Sequence, residues 1–282
     1  MSTVLGRRLG GELLRMREIS GLKQPQAAEA LTASVAKVAK VERGWVPVRD
    51  PDIRALCHLY EVDDVQAIDG LLRLAKLDRE RRKAKGWWQQ FPEANNIAEY
   101  IAMEDVASQI RTWQLSLVPG LFQTAEYARS VSVSSGSWED PDEIDRLAEI
   151  KLNRQARLFG HQPVQFYAVV WEAALRQVVG GSNVMHGQLE RILELAQLPN
   201  VRLQVLPFRA GAHASMSNMF NIISFAEEAA VDVVYSETVA AAFWLESRAE
   251  AALHATYFDY TTRASLSQRD SVALIDSIRK EI

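Results

Sequence analysis

Three side chains in the second half of the sequence carry the chemistry of proton transfer: His213, in a loop after Gly211, and Glu172 and Glu237, each near the end of a predicted strand. An imidazole that titrates near neutral pH, set beside carboxylates, is a common acid–base pairing. The spacing gives catalysis no support. There is no His-x-x-x-His, no pair of cysteines to hold zinc, no Gly-x-Ser-x-Gly elbow and no glycine-rich phosphate loop. The expectation is therefore no enzyme, with no catalytic or metal-binding residues and no cofactor. The other use for such groups is recognition, and Trp113, Glu172, His213 and Glu237 are the candidate contacts of a ligand pocket with aromatic walls. Trp87, Trp88, Trp113, Trp171 and Trp244 either line that pocket or fill the core, and core packing is the stronger reading because large aromatics dominate buried surface. The lone cysteine, Cys57, sits in the apolar helical stretch Ala55 to Tyr60 and reads as a buried, inert thiol.

Charge points elsewhere. Residues 1–85 hold 17 Lys and Arg against 12 Asp and Glu, a formal +5, while the remainder of the 282 residues is −9. A basic first third on an acidic body suggests that the first part meets an anion such as nucleic acid. The start of the sequence has no apolar stretch of signal-peptide length, and no run of about 18 apolar residues occurs later. A cytoplasmic, nucleoid-associated protein without a membrane segment is expected.

The elements that would present these charges are short helices. Apolar residues recur at three and four spacing: Leu9, Leu13, Leu14; Ala27, Ala28, Leu31; Val38, Val41; Ile53, Leu56, Leu59, Tyr60; Ile68, Leu71, Leu72. Within residues 22–44, Pro25 suits the first turn of one helix, and Ser34 suits the N-cap of a second that runs from Val35 to Glu42 and ends at Gly44. Val38 and Val41 then point inward, which leaves Val35, Ala36, Lys37 and Lys40 outward, as a helix lying in a major groove requires.

At these residues the sequence resembles the phage-repressor-like (XRE/Cro/CI-type) helix-turn-helix family, whose pattern appears as Gly21-Leu22-Lys23-Gln24, Ala28, Ser34, Val38, Val41 and Glu42-Arg43-Gly44. The resemblance spans about residues 9–62. It implies double-stranded DNA as a partner, with Gln24 and Ser34 at the two helix starts, Lys23 and Arg43 flanking the phosphate backbone, and Val35, Ala36, Lys37 and Lys40 at or beside the positions that read bases. It also implies a structural ion pair between Arg17 and Glu42, and a homodimer on half-sites about one helical turn apart. Two positions depart from the pattern. Thr32 stands where glycine is usual in the turn, so its backbone either avoids positive φ or is strained. Val35 and Ala36 cannot make the bidentate hydrogen bonds that discriminate bases, which leaves thymine methyls and Lys40 for direct readout.

Residues 73–85 form a basic tract closed by Gly86. The expected organisation is a helix-turn-helix domain over 1–75, a basic helical linker over 76–86 that could contribute to dimerisation, and a larger domain over 87–282. In the last, helices are expected around Tyr100–Trp113, Thr124–Val131, Asp142–Phe159 and Met185–Ala196, and over 247–262 and 267–281. Strands are expected at Val164–Val170, Val201–Leu206, Phe220–Phe225 and Val231–Tyr235, the last three as an antiparallel meander. The fold class is thus multi-domain, an all-α helix-turn-helix bundle followed by a larger α+β domain with a mainly antiparallel sheet.

Gly86-Trp-Trp-Gln89, Val118 to Arg129, Arg154-Gln155, Val179-Gly-Gly181, Leu206 to His213 and Val234-Tyr-Ser-Glu237 resemble a domain of poorly defined function that follows this helix-turn-helix in many actinobacterial regulators. That resemblance implies a transcriptional regulator controlled through its C-terminal domain by a small protein from an adjacent gene or a small-molecule effector. The alternative is an antitoxin-like interaction protein that neutralises a small partner and regulates its own operon.

Overall fold

The computed structural model describes residues 3–83, 86–91, 97–136, 140–226, 231–238 and 241–282. The chain forms two compact units, Met1–Gly86 and Trp87–Ile282.

The first unit is helical: α1 (Val4–Ile19), α2 (Gln24–Ala30), α3 (Val35–Glu42), α4 (Asp50–Leu59) and α5 (Val65–Lys83). The core forms where the apolar periodicity places it, with Leu9 and Leu13 of α1, Ala27 and Ala28 of α2, Val38 and Val41 of α3, Ile53, Leu56 and Cys57 of α4, and Leu71, Leu74 and Ala75 of α5 all buried. Cys57 is free, and burial pushes its thiol up, away from the reactive thiolate.

Four of these helices end alike. After α1, α2, α3 and α4 the chain turns through a residue at positive φ, respectively Gly21, Thr32, Gly44 and Glu61. At each end two successive amides return to the last carbonyls of the helix; after α3 they are Gly44 N to Val41 O at 2.9 Å and Trp45 N to Lys40 O at 2.8 Å. Thr32 is the costly member, since its φ is 47° and a β-branched side chain fits the left-handed region poorly. Of the two alternatives open for this turn, the strained one is realised. Gly44 admits no side chain at all, because a Cβ there would lie 2.2 Å from the Arg7 backbone nitrogen.

The expected linker differs from what forms. Helix α5 continues without a break to Lys83 and docks on its own bundle. Arg79 donates to Val48 O at 2.6 Å and to Asp50 at 2.7 Å, and Arg82 donates to Gly44 O at 2.8 Å. Asp78, fully buried, accepts from Arg82 and from the Thr3 hydroxyl. Part of the basic tract is therefore engaged within the bundle, while Ala84 and Lys85 lie outside the described residues.

The second unit is built on a six-stranded sheet of β1 (Gln109–Gln114), β2 (Gln165–Trp171), β3 (Val201–Leu206), β4 (Phe220–Ser224), β5 (Val233–Glu237) and β6 (Ala242–Leu245), in the order β3-β2-β1-β4-β5-β6. The pairs β1·β2 and β2·β3 are parallel and the other three antiparallel, so the sheet is mixed and mainly antiparallel. Parallel pairs need long crossovers. Helices α7 (Ala125–Ser134) and α8 (Pro141–Gln155) lie in the first, and α9 (Glu172–Arg176) and α10 (Ser182–Leu195) in the second. The meander consists of β4, β5 and β6; Val201–Leu206 is not part of it, lying at the far edge beside β2.

The stretch Tyr100–Trp113, expected as one helix, divides into α6 (Ala98–Val106) and strand β1. Ala107 is already extended, at φ −63° and ψ 138°, and the five residues Gln109–Trp113 find ladder partners on both sides. Sheet pairing overrides a helical-looking pattern here. One sheet face, with Trp113, Val169, Leu206, Phe220, Ile222 and Val234, packs on Ala251 and Phe258 of α11 (Arg248–Ala264). Ser247 caps α11 and Ser267 caps the closing α12 (Gln268–Glu281), as their sequences indicate. No helix among the described residues is long and apolar enough to cross a membrane.

Candidate nucleic-acid interface

Helix α3 has two distinct sides. Val38 and Val41 are buried to within 2% of complete, whereas Val35, Ala36 and Lys40 are exposed. The Ser34 hydroxyl accepts from Lys37 N at 3.2 Å and so fixes where the helix begins. A cap of this type stabilises a helix by about 1 kcal/mol. The outward side thus offers a valine, an alanine and a lysine at one helix start, where amide dipoles also favour an anionic neighbour. Lys37 is half-buried and leans toward Asp52, its Nζ 3.8 Å from the carboxylate.

Helices α1, α2 and α3 are tied together by a polar clamp. Glu42 accepts from Arg17 Nε at 2.5 Å and Nη2 at 3.2 Å, and from Gln24 Nε2 at 2.8 Å. Arg17 also donates to Leu22 O at 2.8 Å, which ties the end of α1 to the start of α2. The ion pair implied by the resemblance is present. Gln24 stands at the start of α2 as expected, and it gives its amide nitrogen to Glu42. Lys23 and Arg43 are exposed at the two ends of the motif, Arg43 lying over the Trp45 ring at 5.2 Å.

In the second unit two of the four expected ligand contacts, Trp113 and His213, touch one another. Trp113 is fully buried in the core against α11, its indole N–H donating to Ser215 O at 2.8 Å, and His213 meets it edge-on at 5.2 Å. Burial pushes the His213 imidazole down, toward its neutral form. Glu172 is engaged by Arg176 at 2.7 Å and by the Phe208 amide at 2.8 Å, where it closes the loop after β3. Glu237 accepts from the Tyr235 hydroxyl at 3.1 Å on the opposite face of the sheet from Trp113. Alternation along the strands thus puts Trp113 and Glu237 on opposite faces of the sheet.

A family model described as a helix-turn-helix domain matches residues 8–68, and a second, described as a domain of unknown function (DUF5753), matches residues 97–277. The chain belongs to the DUF5753 family. No curated protein and no solved structure matches it. The helix-turn-helix match covers α1 to α4, including the capped α3 and its clamp, and supports a DNA-binding regulator. In the DUF5753 unit Thr112, Asn221 and Tyr235 come together on neighbouring strands of one buried sheet face. Sequence reasoning passed over Thr112 because β1 read as helix. The signal available was Asn221, a polar amide between the apolar Phe220 and Ile222 of a strand.

Proposed function

We propose that the protein is a sequence-specific transcriptional regulator that binds DNA as a dimer, with α3 in the major groove, and that its DUF5753 unit receives the controlling signal from a protein partner or a small ligand. The observation that carries this reading is the capped α3, buried on Val38 and Val41 and exposed on Val35, Ala36 and Lys40, within a chain segment that matches a helix-turn-helix domain. Lys23 and Arg43 are assigned to phosphates, which position the protein without reading sequence. Lys40 is assigned to a base edge, and Val35 and Ala36 to thymine methyls. With so few discriminating groups per half-site, specificity rests on paired half-sites and on DNA shape.

The test is a mobility-shift titration of the full chain at several salt concentrations. Replacing Lys23 and Arg43 with alanine should weaken binding to every sequence and flatten the salt dependence by roughly one unit of log–log slope per phosphate contact. Lys40→Ala should alter preference among sequences instead. If neither change affects affinity, the helix-turn-helix is not the DNA contact, and a monomer by light scattering both with and without operator rules out the dimer.

A further inference from the structure

The strand order of the DUF5753 sheet reverses at β1, with β2 and β3 on one side and β4 to β6 on the other. In open sheets that hold parallel strands, ligands settle outside the carboxyl end of the strand at which the order turns. The register places Thr112, Asn221, Tyr235 and Trp244 in one row across β1, β4, β5 and β6, with Gln114 and Glu237 two residues further along their strands on the same face. Thr112 is 1% exposed and Asn221 8%. A sheet face buried under helices is normally apolar, and this row is not.

Rings wall the row. Tyr235 and Trp244 lie 4.8 Å apart, and Tyr100 of α6 covers Tyr235 at 4.7 Å. Helix α8 contributes two cations one turn apart, Lys151 and Arg154. Arg154 is fully engaged: it donates to both oxygens of Glu104, at 2.7 and 2.8 Å, and its guanidinium lies over the Tyr100 ring at 5.1 Å. Lys151 is half-buried and makes no hydrogen bond or ion pair with any described residue, although it feels the carboxylates of Glu237 and Glu104. Burial, and then the charge of Arg154, push its amine down to about 8. The Asn221 amide also makes no hydrogen bond with any described residue, and its atoms are not sealed from solvent, so an entering polar group can reach them.

We propose that Lys151, Asn221 and the Tyr100–Tyr235–Trp244 wall form the binding site of a small aromatic carboxylate, with the carboxylate on Lys151, the ring against Tyr235 and Trp244, and a polar substituent on Asn221. A single unengaged amine flanked by Glu104 and Glu237 suits a monoanion, since the second charge of a phosphate would meet those carboxylates unbalanced. Three segments conspicuous in the sequence meet around this site: Arg154-Gln155, Val234 to Glu237, and the Val118 to Arg129 stretch, where a Cβ at Gly120 would lie 3.2 Å from the Arg154 guanidinium. The site deepens the reading of this unit as a signal receiver and rests on it.

The test is calorimetric titration of the full chain with benzoate, indole-3-acetate, acetate and inorganic phosphate. The two ring-bearing carboxylates should bind, and Lys151→Met and Asn221→Ala should each weaken them about tenfold or more. Near pH 8.5, binding should take up protons, seen as a heat that changes with the ionisation enthalpy of the buffer, and Lys151→Met should abolish that uptake. No binding of either ring-bearing probe up to about 10 mM overturns the site. Phosphate or acetate binding as tightly as both overturns the ligand class. Binding that leaves operator affinity unchanged supports the site and counts against the control of DNA binding through it.

Discussion

Glu42 is the residue on which the helix-turn-helix geometry depends most, and removing it has a calculable effect. Its side chain is 5% exposed and Arg17's is 10%, so Glu42→Ala strands a guanidinium away from water and removes the partner of Gln24 as well. Breaking a buried pair from one side costs about 3–5 kcal/mol. A unit of 86 residues has a stability of roughly 4–13 kcal/mol by the per-residue range of small domains. The single variant should therefore lose a large part of it, lowering the melting temperature of the N-terminal transition by on the order of 15–30 °C. Arg17→Met should cost a similar amount. The double variant Arg17→Met/Glu42→Leu removes both charges together and should recover much of the loss, because two apolar chains of similar size replace a pair whose desolvation offsets most of its attraction. The assay is urea or thermal unfolding of the full chain followed by circular dichroism, combined in a double-mutant cycle. A coupling below about 0.5 kcal/mol, or a Glu42→Ala variant that melts with the native chain, would refute the reasoning.

Two further predictions concern single residues. Thr32→Gly removes a left-handed β-branched residue worth about 1–2 kcal/mol of strain against about 0.5–1 kcal/mol of added unfolded-chain freedom, so the variant should gain stability in urea unfolding; a loss would mean that the threonine side chain holds the turn. Lys151 gives up its proton at about 8 in the folded chain against an ordinary 10.5, so between those values the unfolded chain binds more protons and stability rises with pH. Below about pH 8 the penalty is present in full. Lys151→Met should accordingly be more stable than the native chain at pH 7, by up to about 3 kcal/mol, with the difference closing as pH approaches 10.5. A variant less stable at pH 7 would contradict the burial of an unpartnered amine.

What the sequence determined by itself is whatever depends on near neighbours. Ser34, Gly21 and Gly44 start and stop helices through bonds to residues within five positions, Pro25 suits a first turn through its fixed φ, and the three-and-four spacing of Leu9, Leu13, Val38 and Val41 fixes which sides turn inward. Helix α3 was legible for that reason. The division into a helical bundle and a mainly antiparallel α+β unit was also legible, since helical and strand periods separate along the chain.

Tertiary structure decided what depends on pairing across distance. Gln109–Gln114 is a strand only because β2 and β4 flank it, and Gln24 finds Glu42 only because α2 and α3 pack together. The row Thr112, Asn221, Tyr235 and Trp244 comes from four strands whose relative register no local signal sets, since slipping one of them by a single residue would turn its side chain to the other face.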